Sequence, residues 1–198
     1  MSPAQILERS YDTLKRRLIA GDFDAGQRLE AARLSEQMHV SITPVRDVLN
    51  RLTGEGLVEA IAGGGFYVPI LDEGRLRDLL DWNSFLSIQA VRMKRVAKPQ
   101  IRVTGGNDAA RAAHFFSAIA GSTGNRELVS TVSRTNDRLY AMRLLDTQVL
   151  TGVGLEFEAM EQAMAEDSLA VLVKLVRAYH RRRVARLPTY MRLLREAG

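Results

Sequence analysis

Between residues 1 and 70, short apolar stripes at helical spacing alternate with polar turns. Ile6, Leu7, Tyr11, Leu14, Leu18 and Ile19 fall on one side of a helix over 6–20, closed by Gly21. Residues 22–26 read as a turn. Leu34 and Met38 mark a short second helix over about 31–38. After the turn His39-Val40-Ser41, the side chains of Val45, Val48, Leu49 and Leu52 define the inner face of a third helix. Ser41 is its candidate N-cap, and Pro44 lies near the first turn, where a missing N–H costs nothing. Gly56 is expected to end it. Two apolar runs, 57–61 and 66–70, flank Gly63-Gly64-Gly65 and read as strand, tip and strand. Helix, helix, helix and a two-stranded wing predict a winged helix-turn-helix.

Beyond about Leu71–Gly74 the pattern is helical throughout. Long amphipathic stretches cover 73–98, 109–120, 127–150, 155–165 and 168–187. Pro99 breaks the first, and loops are expected at Gly105-Gly106-Asn107, at 121–125 and at 151–154. Asn107 or Asp108 should cap the second of these helices. The expected fold is mainly α. Residues 1–72 form a winged helix-turn-helix with a small β wing, and 73–198 form an all-α bundle.

Composition narrows the classes. The chain has 198 residues, is 46% hydrophobic and has a net charge of +5. Its pI near 9.9 suits a polyanionic partner. No apolar run approaches a membrane span, and no signal-peptide pattern opens the chain. With no cysteine there are no disulfides or thiolate metal sites, as a cytoplasmic protein would have it. The charge is unevenly placed: residues 1–70 hold eight Lys/Arg against nine Asp/Glu. The excess sits near the C-terminus, in a series running from Lys174 through Arg181, Arg182 and Arg183 to Arg195. It reads either as a solvated helix face or as a surface for phosphate or a partner.

The third helix carries the most specific chemistry. Its first turn is polar and basic and its inner face is apolar, as in a recognition helix, which contacts base edges through its first residues. Catalysis has no comparable support. The chain has no clustered histidine, no GxGxxG and no P-loop, and Gly63-Gly64-Gly65 lies between strands rather than before a helix. Glu156, Glu158 and Glu161 fit an acidic helix face better than acid–base work.

The series Ile19-Ala20-Gly21-Asp22-Phe23, Leu34-Ser35-Glu36, Thr43-Pro44-Val45-Arg46 and Glu55-Gly56-Leu57-Val58 resembles the N-terminal domain of GntR-family transcription regulators. The resemblance covers about 10–68. A second stretch, 115–120 followed by Thr123-Gly124-Asn125, is similar to the signature of the all-helical FCD effector domain of the FadR-type branch, shortened between Lys98 and Asp108.

This resemblance implies a homodimeric regulator, expected to act as a repressor, on a palindromic operator in double-stranded DNA. A small-molecule effector in the C-terminal bundle would modulate it. Arg46 matches the family's base- and phosphate-contacting arginine. Ser41, Thr43 and Pro44 match the polar helix start, and Gly65 matches the wing glycine. Arg33 and Arg51 complete the candidate DNA-facing set. Three features depart from the pattern: Ile42 and Ala32 stand where the family carries arginines, and the wing tip 62–65 lacks a basic residue. The rival reading is therefore a regulator-like protein that binds a ligand or partner with little operator affinity.

The positions at which many FCD domains ligate a divalent metal fall on Ala112, Phe116, Phe157 and Tyr179, beside His114 and His180. That set implies no metal and no cofactor. Phe116, Phe157 and Tyr179 either line an apolar effector pocket with Arg138 and His180 or fill the space as core. Arg111, Arg138, Arg143 and Tyr140 are the candidates to hold an acidic head group.

Overall fold

The computed structural model describes residues 2–93, 96 and 106–196. The chain divides into two compact units, Met1–Leu71 and Asp72–Ala197.

In the first unit, α1 (Pro3–Ala20) starts on a capping box, in which Ser2 Oγ accepts from the Gln5 N–H and Gln5 reaches back to the Ser2 N–H. It ends at Gly21, whose φ of 82° only glycine adopts freely. The helix α2 (Ala31–Met38) is followed by α3 (Ile42–Gly54). His39 in the turn between them adopts a left-handed conformation, φ 54°, which is uncommon for a side-chain-bearing residue. Leu14, Leu34, Val45, Val48, Leu49 and Leu52 meet in one core. Leu14, Leu49 and Leu52 are wholly buried, and each contributes about 1.5–3 kcal/mol through that burial.

The wing differs from the two-strand expectation. It is a three-stranded antiparallel sheet in the order β1-β3-β2, with β1 (Arg28–Leu29), β2 (Glu59–Ile61) and β3 (Gly65–Tyr67). The strands are shorter than the apolar runs because Leu57 and Val58 turn into the helical core. A two-residue strand such as β1 has too little length to show periodicity. The third helix runs to Gly54 and is closed, as expected, by Gly56: at φ 75° it takes the left-handed position of a Schellman motif, its N–H meeting the Thr53 carbonyl and the Leu57 N–H meeting the Leu52 carbonyl.

The second unit holds α4 (Glu73–Arg92), α5 (Asp108–Ser122), α6 (Arg126–Arg143), α7 (Asp146–Val149), α8 (Val153–Ala165), α9 (Leu169–Val184) and α10 (Leu187–Glu196). Asn107 caps α5 by accepting from the Ala110 N–H, and Asn125 caps α6 through the Leu128 N–H. The expected break at Pro99 and the glycine at 105 lie outside the described residues. The stretch read as one helix over 127–150 is interrupted after Arg143, and α7 carries the buried Asp146 to Arg183 and Tyr190. The helix expected over 168–187 ends at Val184, and a further helix, α10, follows with Pro188 in its first turn, where proline is tolerated.

The basic C-terminal series is not a single solvated face. Arg183 is wholly buried, with Nη2 2.6 Å from Asp146 Oδ2 and Nη1 3.1 Å from Glu156 Oε2. Arg182 also pairs with Glu156, and Arg192 with Glu196.

Candidate nucleic-acid interface and the polar centre of the bundle

The inward residues of α3 fix what faces out. Four apolar side chains hold one face to the core, which leaves Thr43, Arg46, Asp47 and Asn50 exposed along the opposite stripe. Arg46 has no ion-pair partner among the described residues. The Ser41 backbone has the extended N-cap conformation, but its hydroxyl makes no capping bond. The first-turn N–H groups of α3 therefore lack an internal acceptor, and they and the Ser41 hydroxyl are available to a phosphate. Pro44 is half-buried and removes only a donor that has no use. Ile42 is 38% exposed on this same end.

The other sequence-derived positions divide. Arg33 is exposed on α2. Arg51 is drawn elsewhere: its Nη1 lies 2.9 Å from Glu8, and its guanidinium carbon lies 3.6 Å from the centre of the Tyr11 ring. Tyr11 donates to Glu55 at 2.7 Å, and Lys15 reaches the other Glu55 oxygen at 2.9 Å. Arg51 thus belongs to the joint between α1 and α3. Burial alone would raise the Glu55 carboxyl pKa. The hydrogen bonds of Lys15 and Tyr11 and the charges of Lys15 and Arg51 outweigh it and hold the carboxyl below its ordinary range.

At the wing, Gly65 has φ 104°, where a side chain would be strained. A Cβ there would stand 3.7 Å from Arg28 Nε. The exposed Arg28 guanidinium therefore lies across the wing, whose own tip is not basic. Sequence reasoning passed over this residue, because only the pairing of Arg28 with Tyr67 carries it there.

In the bundle, Phe116, Phe157 and Tyr179 belong to the hydrophobic core cluster. They pack edge-on against one another and Phe115 at centroid distances of 5.2–6.2 Å, each no more than 1% exposed. They are core. Beside them lies a buried polar group. Arg143 donates to Asn136 Oδ1 at 2.9 Å and to Asn83 Oδ1 at 3.0 Å, and it meets no carboxylate among the described residues. Among the described residues its Nε has no hydrogen-bond partner, and the Tyr179 hydroxyl lies beside the guanidinium without a closer acceptor. Burial lowers the pKa of Arg143 and the positive charge of Arg183 adds to that, against the opposing influence of Tyr179 and of the Asp146 carboxylate.

His180 completes the centre. Its Nδ1 lies 2.8 Å from the Val176 carbonyl and its Nε2 lies 2.9 Å from Asn83 Oδ1. Burial pushes its pKa down to about 3. The Val176 carbonyl opposes the shift, and the charges of Arg143 and Arg183 reinforce it. The Val176 carbonyl can only accept, so the neutral ring donates its Nδ1–H there. The remaining candidates for an acid are less available. Arg111 is held by both Glu161 oxygens at 2.9 and 2.7 Å, and the Tyr140 hydroxyl lies 3.3 Å from Asn107 Oδ1. Arg138 is half-buried, its Nε has no hydrogen-bond partner among the described residues, and burial and Arg75 lower its pKa.

The sequence profile of bacterial regulatory proteins of the gntR family matches residues 7–68, the unit that carries α3 and the wing. The Nta operon transcriptional regulator of Aminobacter aminovorans is 31% identical over 142 residues, covering 64% of this chain and 68% of that protein. The chain belongs to the GntR family.

Solved structures extend the likeness in fold to both units. Escherichia coli McbR/YncC superposes with a TM-score of 0.70 at 18% identity, over 93% of this chain and 97% of that one. A putative GntR transcriptional regulator from Rhodococcus sp. RHA1 gives 0.74 at 17% identity, over 92% and 97%. This GntR protein is accordingly a DNA-binding transcription regulator, of a family of regulators rather than enzymes. Among the described residues no helix is long and apolar enough to cross a membrane, and no group of three His, Cys, Asp or Glu could hold a metal. The FCD-like metal positions do not fit a metal: Ala112, Phe116 and Phe157 offer no donor, and burial raises the pKa of the Tyr179 hydroxyl, which keeps it protonated.

Proposed function

We propose that this GntR protein binds a palindromic operator as a homodimer, with α3 in the major groove and Arg46 reading base edges or phosphate. The exposed first turn of α3 carries this reading: Ser41, Thr43 and Arg46 project from a helix whose opposite face is locked into the core. Arginine suits the task because its planar fork binds guanine O6 and N7, or a phosphate, at two points. Arg33 and Arg28 supply backbone contacts, the latter beside Gly65 at the wing, while Arg51 serves the fold.

The effector is a small acid held at Arg143. What supports this is a buried guanidinium that is hydrogen-bonded to two amides and lies against the Phe116 ring, with no ion-paired carboxylate among the described residues. An FCD-like role for this unit rests on the same group. Control of operator binding requires that the acid bind free and DNA-bound protein with different affinity.

The test is selection of fragments of the source genome by the purified protein at about 0.1 M salt, a regime in which phosphate contacts remain strong. Recovery of one short palindrome is the expected result. Recovery of DNA without sequence preference would favour the rival, a ligand-binding protein with little operator affinity.

A further inference from the structure

On α4, Trp82 and Phe85 stack on each other at 5.5 Å with planes 13° apart, yet they are 47% and 52% exposed. Two large rings stacked in water are an unusual surface feature and mark a contact site. Their surroundings are patterned. Asp78 lies seven residues before Phe85 and Arg92 seven after it, all three exposed. Seven residues make almost two turns, so the three share a face, with the charges about 10 Å to either side of the ring. Neither Asp78 nor Arg92 has an ion-pair partner among the described residues.

This face is complementary to itself. If a second α4 lies antiparallel across the first, with a two-fold axis at Phe85, each Asp78 meets the other copy's Arg92 and the aromatic pairs meet in the middle. A parallel arrangement would set Asp78 against Asp78. A two-fold interface must be self-complementary in this way, and a partner of different chemistry would not need the symmetry.

We infer that the Trp82–Phe85 face of α4 is the dimer interface and that its occupant is α4 of a second copy, antiparallel. The inference rests on the homodimer reading above and adds the surface that makes it. Aromatic centres flanked by charge are also how interfaces concentrate affinity and fix register.

Sedimentation equilibrium of the full chain tests it, together with emission from Trp82, the chain's single tryptophan. Native protein should be a dimer whose Trp82 emission moves to the red on dilution. Phe85→Glu, at an exposed position, should keep native circular dichroism and raise the dimer dissociation constant at least about thirtyfold, the scale of a lost interface anchor. Asp78→Arg and Arg92→Asp each place like charges together twice across the axis and should weaken the dimer. The double variant should restore it. A monomeric native protein, a dimer indifferent to Phe85→Glu, or a double variant weaker than both single ones would overturn the inference. A dimer built on another face would leave operator selection intact. An α4 dimer that selects no operator would instead sink the functional reading and leave the interface standing.

Discussion

Arg143 reaches the side-chain oxygen of Asn83 across 3.0 Å, deep in the helical unit, and so finds an amide where a buried guanidinium ordinarily finds a carboxylate. The arrangement satisfies part of the hydrogen-bonding capacity of Arg143, and its charge is met by the Phe116 ring at 5.2 Å and the field of Asp146 rather than by an ion-paired carboxylate. A bound acid would supply that pairing. Thermal unfolding with a panel of benzoate, citrate and inorganic phosphate checks this. At a concentration of about a hundred times its dissociation constant, a ligand stabilises by about 2.7 kcal/mol. At least one anion should raise the melting temperature of native protein and leave Arg143→Gln unmoved. An equal rise in both would place the anion elsewhere.

His180 makes the bundle sensitive to acid. Its folded pKa near 3 lies below the ordinary 6.5, so the unfolded chain binds the proton more readily. The contribution is complete above the unfolded value and is lost as pH falls from about 6.5 toward 3, by as much as about 1.4 kcal/mol per pH unit. Urea unfolding at several pH values across that window should show the decline, and His180→Gln should flatten it. A native curve as flat as that of the variant would contradict the depressed value.

Arg183 and Asp146 form the opposite case, a buried charge with its partner in place. Asp146 also accepts from the Tyr190 hydroxyl at 2.6 Å, which ties α7, α9 and α10 together. Arg183→Ala leaves that carboxylate buried without a cation and should cost about 3–5 kcal/mol. The double variant Arg183→Met with Asp146→Leu should lose less, because no charge is stranded. Chemical denaturation of the three proteins gives the comparison.

Ile42 occupies the exposed end of α3, at the position where the family resemblance implies an arginine. Ile42→Arg should tighten operator binding and steepen the salt dependence by about 0.9 in slope if the new side chain meets a phosphate. Arg28→Ala should do the reverse by a similar amount. Titration of labelled operator at several salt concentrations separates a phosphate contact, which changes the slope, from a base contact, which changes sequence preference.

The helices of the first unit were legible because each buries one regular stripe. Val45, Val48, Leu49 and Leu52 announce both the core face of α3 and the opposite face that carries Arg46. Tertiary placement was less legible. Arg28 reaches the wing through a two-residue strand, and Arg51 is drawn to Glu8 and Tyr11, far away in sequence. In the bundle, aromatic residues at expected ligand positions left two readings, core or pocket, and only packing shows them as core. Asn83 and Asn136 gave a signal that periodicity alone passes over: each is polar at a position where the helical stripe demands an apolar residue. The break after α6 was not legible, and the ion pair that holds Asp146 just beyond it, to Arg183, spans 37 residues.

The central claim is that the exposed start of α3 reads DNA. Binding of the selected operator, followed by fluorescence anisotropy at about 0.1 M salt, tests it in native protein and in Arg46→Ala. Arg46 supports no part of the core, so the variant should fold normally. Its affinity should fall about 5- to 150-fold, the value of one two-point arginine contact at about 1–3 kcal/mol. An operator bound equally well by both proteins would contradict the account.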